Sequence, residues 1–311
     1  MNYFKLKSLL LIFTVAFAAS SCLKLDSDYD KQVQLDDERL NTYFEQNGIN
    51  PQKHSKGFYY MPMMQTQSGA ELNANDVVSF YYTISLLDGT VIETNNLPDK
   101  EPAKVKLLSY TIIPEGLDFA IRMMRVGEEY RFFMPSYLAY GSYKSADFDA
   151  YSLFKIDVKV VAVHTEGQIN AILQDSLDTY MAANYLHYLK TESGLYFVDS
   201  ISGTGNTPYG GSGVVIDFSR KYINNTLITA KEDVLVYLNG QQAVPGLEEG
   251  ILLMKQGGEA ILYMAPSLAF KNSLCVIPQK TRKELLQRNV ISSEVLPYSI
   301  VKYVVKLKSV N

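Results

Sequence analysis

The strongest constraint on the fold is a motif that occurs twice. Residues 112–141 read IIPEGLDFAIRMMRVGEEYRFFMPSYLAYG, and residues 243–271 read AVPGLEEGILLMKQGGEAILYMAPSLAFK. Gly116-Leu117 aligns with Gly246-Leu247, Met124 with Met254, Pro135 with Pro266, and Ala139-Tyr140 with Ala269-Phe270. Each copy spells a tight entry, a short helix, a glycine turn, a strand and an aromatic loop. A second pair of landmarks, Lys56-Gly57-Phe58-Tyr59-Tyr60 and Ser193-Gly194-Leu195-Tyr196-Phe197, repeats 137 positions apart (194 minus 57). A period that long is a duplicated domain rather than a solenoid unit. A chain of 311 residues at 47% hydrophobic has enough apolar material for two ordinary cores.

The spacing of apolar residues predicts the same elements in each copy. Leu35, Leu40, Tyr43 and Phe44 make a lead-in amphipathic helix over residues 35–47. Ile169, Ile172, Leu173, Leu177, Met181, Tyr185 and Leu189 make a longer one over 166–190. Residues 77–87 are β-branched and aromatic, and Asp88-Gly89 turns them back into Val91-Ile92, a hairpin. Strands follow at 104–108, 129–134 and 153–163. Between them a helix over 115–124 presents Leu117, Ala120, Ile121 and Met124 on one face and stops at Gly127. In the second copy the strand at 213–218 turns at Asn224-Asn225, then come a helix at 247–254 and a strand at 260–264. One short helix against such antiparallel strands is an α+β domain. Twenty-three Tyr with no Trp suits half-buried strands, which favour a flat apolar body with a polar tip. Residues 272–297 exceed the matching connection of the first copy (142–151), and 281–288 (TRKELLQR) form a basic helical turn.

Lys5 and Lys7 precede an uncharged apolar run over residues 9–19, too short to span a membrane and suited to a secretion signal. Ala19-Ser20-Ser21-Cys22, which ends it, resembles the lipobox of bacterial lipoproteins, with Ala19 where leucine is more usual. The resemblance implies a lipid on Cys22 and anchoring in the bacterial cell envelope, at the outer membrane; the alternative is an ordinary signal peptide cut nearby, leaving a thiol. With Cys22 lipidated, Cys275 has no partner for an internal disulfide. Asp26, Asp28 and Asp30 read as a solvated tether over 22–34.

Other chemistries find no support. A net charge of -4 gives no basic field for nucleic acid. His54, His164 and His187 match no metal-ligand spacing, so no metal or cofactor is expected. No serine sits in a Gly-x-Ser-x-Gly elbow, and Gly203-Thr204-Gly205 precedes a strand rather than opening a helix, so it is no phosphate loop. Asp36-Asp37-Glu38 and Glu248-Glu249 read as helix-start or solvated positions.

The order Tyr82…Asp88-Gly89, Ile112-Ile113-Pro114-Glu115-Gly116-Leu117, Met124…Gly127-Glu128 and Pro135-Ser136-Tyr137-Leu138-Ala139-Tyr140-Gly141 resembles the FKBP-type peptidyl-prolyl cis-trans isomerases. The resemblance occurs twice, over residues 57–163 and 194–310. It implies two domains, each a twisted antiparallel β-sheet wrapped around a short α-helix with an apolar pocket between them. In the first copy it implies a catalytic set of Tyr82, Tyr140, Glu93 and Ile113, with Ile92, Ile112, Leu117 and Ile156 lining the pocket; Glu93 stands where the family has Asp, Leu117 where it has its floor tryptophan. In the second, Phe218 and Phe270 stand where the tyrosines do and Thr229 where the acid does, leaving Ile228, Val244, Leu247 and Tyr303 with the two phenylalanines as a binding surface. Packing alone also accounts for the apolar members of both sets, whereas Tyr82 and Tyr140 carry hydroxyls that a core does not need.

These observations divide the chain into a signal (1–21), a tether (22–34), a first domain with its lead-in helix (35–165) and a linker helix with a second domain (166–311). They imply a folding helper of the cell envelope. Its first domain is an isomerase acting on proline-containing segments of unfolded envelope proteins, and its second binds peptide or protein. The rival reading is a non-catalytic FKBP-fold scaffold. By analogy with family members, the 272–297 insertion is expected to hold a client or to form an ordered surface flap.

Overall fold

The computed structural model describes residues 27–292 and 294–311, so Cys22 and the signal segment lie outside the described residues. Helix α1 (Asp28–Asn47) begins at a reciprocal cap: the Ser27 hydroxyl accepts from the Asp30 amide while Asp30 accepts from the Ser27 backbone. The tether expected over 22–34 is therefore helical from Asp28 onward. Asp28 and Asp30 are first-turn acids favoured by the helix dipole, and Gly48, at φ 63°, closes the far end.

The first unit continues as β1 (Gln52–Lys53), β2 (Tyr59–Met64), β3 (Val77–Leu86), β4 (Val91–Thr94), β5 (Ala103–Lys106), β6 (Ile112–Ile113), α2 (Gly116–Ile121), β7 (Glu129–Met134) and β8 (Phe154–His164). The second comprises α3 (Glu166–Asn184), β9 (Leu189–Lys190), β10 (Tyr196–Ile201), β11 (Gly213–Tyr222), β12 (Leu227–Tyr237), α4 (Pro245–Leu252), β13 (Glu259–Met264), β14 (Cys275–Val276), α5 (Thr281–Gln287) and β15 (Val301–Val310). Spatially the first sheet runs β1-β2-β7-β8-β3-β4, with β5 also on β3, and the second runs β9-β10-β13-β15-β11-β12. The two orders are the same element for element. Both units are α+β, as expected, and each helix buries its apolar face: Leu117, Ala120 and Ile121 are fully buried, as is Ile251, each large side chain contributing roughly 1.5–3 kcal/mol. No described helix is long and apolar enough to cross a membrane.

Two sequence expectations shift. The second lead-in helix stops at Asn184, because Tyr185 turns extended, and Leu189-Lys190 pairs with Phe197-Tyr196 as a short strand. Gln52-Lys53 pairs with Tyr60-Tyr59 in the same way, so the repeat includes the lead-in. Pro266 occupies the place of Ser136 rather than Pro135, since the 3₁₀ turns Ser136–Leu138 and Pro266–Leu268 begin at those residues.

Gly116 and Gly246 recur for a steric reason. A Cβ at Gly116 would lie 2.2 Å from Met134 Sδ and 2.9 Å from the Leu138 carbonyl oxygen, and one at Gly246 would lie 2.8 Å from Met264 Sδ. Only glycine lets each helix start this close to its strand and turn.

The acids read as solvated or helix-start positions are engaged. Asp36, fully buried, accepts from Ser136 N at 2.7 Å, Ser136 Oγ at 2.6 Å and Gln32 Nε2 at 2.7 Å, pinning α1 to the turn before Tyr140. Asp37 accepts from Tyr59 Oη at 2.9 Å, and Glu248 from Asn239 N at 3.1 Å. The units also meet each other. Ile169 of α3 packs with Val77 of the first sheet and Tyr298 of the second unit, and Lys106 pairs with Glu166 at 2.7 Å. β14 pairs in parallel with β6, Cys275 beside Ile112 and Val276 beside Ile113. The Ile113-Pro114 and Ile277-Pro278 bonds are cis.

Candidate functional site

Strand β3 carries Tyr82, which is 1% exposed, facing the buried Ile92, Ile112, Leu117 and Ile156, all in one apolar cluster. The hydroxyl of Tyr82 donates to Glu93 on the neighbouring β4. Tyr140 follows the 3₁₀ turn that Asp36 anchors, and its ring lies 4.7 Å from Phe148 and 5.9 Å from Phe154. The two phenylalanines, 5.2 Å apart, supply aromatic walls that the sequence comparison with the family had not assigned. Phe148 was legible as the one phenylalanine of the connection over 142–151. Leu117 is fully buried in the same cluster.

This pocket is occupied by the chain itself. Cys275 and Ile277, from the insertion of the second unit, are 4% and 0% exposed and belong to the first unit's cluster. Cys275 N donates to the Thr111 carbonyl at 2.6 Å, and Ile277 N to the Ile113 carbonyl at 2.7 Å. Tyr140 Oη donates to the Ile277 carbonyl at 2.8 Å. Glu93 accepts from Gln279 N at 2.8 Å and Lys280 N at 3.2 Å. Glu93, Ile113 and Tyr140 thus bond the stretch that brackets Pro278, itself buried, and Tyr82 is joined to it through Glu93.

Burial, reinforced by Glu93, pushes the Tyr82 hydroxyl far above the usual phenol range, and burial does the same to Tyr140. Both are therefore hydrogen-bond donors at any physiological pH. Burial likewise pushes the Cys275 thiol up to about 12.

The insertion is an ordered clasp rather than a surface flap: Cys275, Val276, Ile277, Leu285 and Val295 are buried. Helix α5 grips the rim loop of the first unit. Glu284 accepts from Tyr143 Oη at 3.3 Å and Ala146 N at 3.3 Å and bonds Ser145 Oγ at 3.2 Å; Lys280 pairs with Asp147 at 2.7 Å.

The second pocket is built in the same register but differently filled. Phe218 lies opposite Val305 as Tyr82 lies opposite Val158, and Arg220 opposite Tyr303 as Ile84 opposite Ile156. The Arg220 guanidinium sits 4.6 Å from the Phe270 ring centroid, 5.2 Å from Tyr303 and 5.8 Å from Phe218. Its Nε donates to Tyr303 Oη at 2.7 Å, and it pairs with Glu294 at 2.9 Å. Leu247 is buried, while Ile228 and Val244 pack partly buried on the same core. The three aromatics expected to form a peptide surface surround an arginine, a residue that alignment with the buried Ile84 could have flagged. Among the described residues no group of three His, Cys, Asp or Glu is placed to hold a metal.

A family model for the FKBP-type peptidyl-prolyl cis-trans isomerases matches residues 69–175 and 205–308. The chain is 29% identical over 140 residues to the FKBP-type peptidyl-prolyl cis-trans isomerase FkpA of Aeromonas hydrophila, covering 45% of this chain and 50% of that protein. It is 35% identical over 96 residues to the chloroplastic peptidyl-prolyl cis-trans isomerase FKBP16-3 of Arabidopsis thaliana, covering 30% of this chain and 43% of that one. It spans half or less of the length of these relatives. The crystal structure of FkpA from Escherichia coli is similar at 18% identity with a TM-score of 0.36, over 53% of this chain and 74% of that chain. With both halves matched over most of their length, the chain belongs to the FKBP-type peptidyl-prolyl cis-trans isomerase family.

Proposed function

We propose that the protein is a prolyl isomerase and folding helper of the bacterial envelope, held there by a lipid on Cys22, with its catalytic site in the first unit. One observation carries the reading: Tyr140, the Ile113 carbonyl and Glu93, itself held by the Tyr82 hydroxyl, all bond the residues around a buried Xaa-Pro bond. Rotation about such a bond meets a barrier of roughly 18–20 kcal/mol because resonance holds the amide planar. A dry apolar pocket disfavours the charge-separated planar form, and fixed donors and acceptors hold the flanking chain while the bond twists. Tyr140 holds the carbonyl before the proline, and Glu93 holds the amides after it. No nucleophile, metal or cofactor enters this chemistry. Clients are proline-containing segments of unfolded envelope proteins.

The second unit serves binding and assembly rather than catalysis. Phe218 and Phe270 lack hydroxyls, and Arg220 fills the space between them and Tyr303.

Exchange spectroscopy on an Ile-Pro peptide should show acceleration over the uncatalysed rate. Tyr140→Phe should lower it by about 2- to 13-fold, the equivalent of one ordinary hydrogen bond. A background rate for both the wild type and a chain carrying Ile277→Ser ends the isomerase reading in favour of a scaffold. Palmitate should label the wild type and not Cys22→Ala; equal labelling ends the lipid anchor.

A further inference from the structure

The groups that make the first pocket useful are all taken. Tyr140 is bonded to the Ile277 carbonyl, the Ile113 carbonyl to Ile277 N, and Glu93 to the amides of Gln279 and Lys280. Ile277 is fully buried among the pocket's side chains. An incoming peptide therefore finds these hydrogen-bonding groups already paired and the space among the pocket's side chains filled by Ile277 until this segment leaves.

The segment is built to stay and also to leave. Its inner part is dry and strand-paired to β6. Its outer part is a latch of partly exposed contacts, Lys280 to Asp147 and Glu284 to the rim loop; such contacts contribute little each and yield readily. As part of the same chain the segment acts at an effective concentration in the roughly millimolar range, so weak intrinsic affinity suffices to fill the pocket.

Resting on the isomerase reading of this pocket, we propose that residues 275–280 are a built-in competitor: the pocket is closed at rest and opens to extended peptides of the same chemistry. That chemistry follows from the contacts. The ligand pairs as a strand with β6, places a branched apolar residue before proline, and offers two free amide N–H groups after it to Glu93. A segment with a second proline directly after the first lacks one of those donors and is disfavoured.

The test measures binding of a fluorescent peptide copying residues 274–280, with serine in place of Cys275, to the full chain. Wild type should bind weakly. Ile277→Ser, which empties the pocket, should bind at least about tenfold more tightly, since apparent affinity scales with the open fraction. The paired surface changes Lys280→Ala and Glu284→Ala, which leave the core intact, should tighten binding about threefold by loosening the latch. A peptide with proline in place of Gln279 should bind about tenfold more weakly to the opened chain. Equal affinity of wild type and the latch variant, both folded by near-ultraviolet circular dichroism, overturns the proposal whether or not Ile277→Ser folds. Tighter binding without isomerisation in any variant would instead sink the isomerase reading and leave the competitor standing. Equal binding with full wild-type turnover would do the reverse.

Discussion

Removing the carboxylate of Asp36 should loosen the rim of the first pocket from a distance. Asp36 has no exposed surface and accepts three hydrogen bonds, two of them from Ser136. Bonds to a charged acceptor contribute roughly 1.5–3 kcal/mol each, and a buried donor left without a partner costs a further amount of about 1–3 kcal/mol. Asp36→Ala strands the Ser136 amide and hydroxyl together, so a loss of about 3 kcal/mol is expected. Ser136→Ala removes one bond and leaves Asp36 its other partners, for a loss of about 1.5 kcal/mol. If the two act through each other, the double variant should be no worse than Asp36→Ala, a coupling of about 1.5 kcal/mol. Urea unfolding of the four chains, followed by circular dichroism over the first transition, reads this directly. Additive losses within about 0.5 kcal/mol would show that the anchor between α1 and the turn is not what the aspartate provides.

Arg220→Ile should cost less than about 1.5 kcal/mol, since Ile84 fills the same register in the first unit and an apolar residue can replace a buried ion pair. Arg220→Ala should cost about 2 kcal/mol; equal shifts in melting temperature would show that filling the second pocket is unimportant. Iodoacetamide should modify Cys275 in the folded chain at pH 8 about 1,000-fold more slowly than in denaturant, because burial lifts its thiol from 9.0 to about 12. Since the folded state keeps a proton that the unfolded chain loses, this group makes stability fall as pH rises from about 9 towards 12; flat stability across that window, once other groups are subtracted, contradicts the burial. Gly116→Ala should destabilise by about 1–3 kcal/mol and Gly246→Ala by less, because the first meets a backbone carbonyl and the second a flexible methionine; the reverse order in thermal scans would refute the packing account.

Periodicity exposed the α+β class and the duplicated order of elements because each strand and helix carries its own local pattern. The positions of Tyr82 and Tyr140 were legible from motif spacing. Asp36 was not: an acid early in a helix looks solvated until the partner 100 residues on is known. The start of α1 was missed for a related reason, since Ser27-Asp30 is a cap and three aspartates read as a soluble run. The occupant of the first pocket was hidden more deeply. Nothing local in Cys275-Val276-Ile277-Pro278 says that its strand partner is Ile112-Ile113, because parallel pairing across two units has no turn to announce it.

The plug of the first pocket is encoded late. Cys275 follows His164, the last residue of β8, by 111 positions (275 minus 164). Synthesis at roughly 5–20 residues per second separates them by about 6 to 22 s, and domains fold as units with the N-terminal one first. Every strand of the first sheet is therefore made before the segment that closes its pocket, and that closure waits on the second unit.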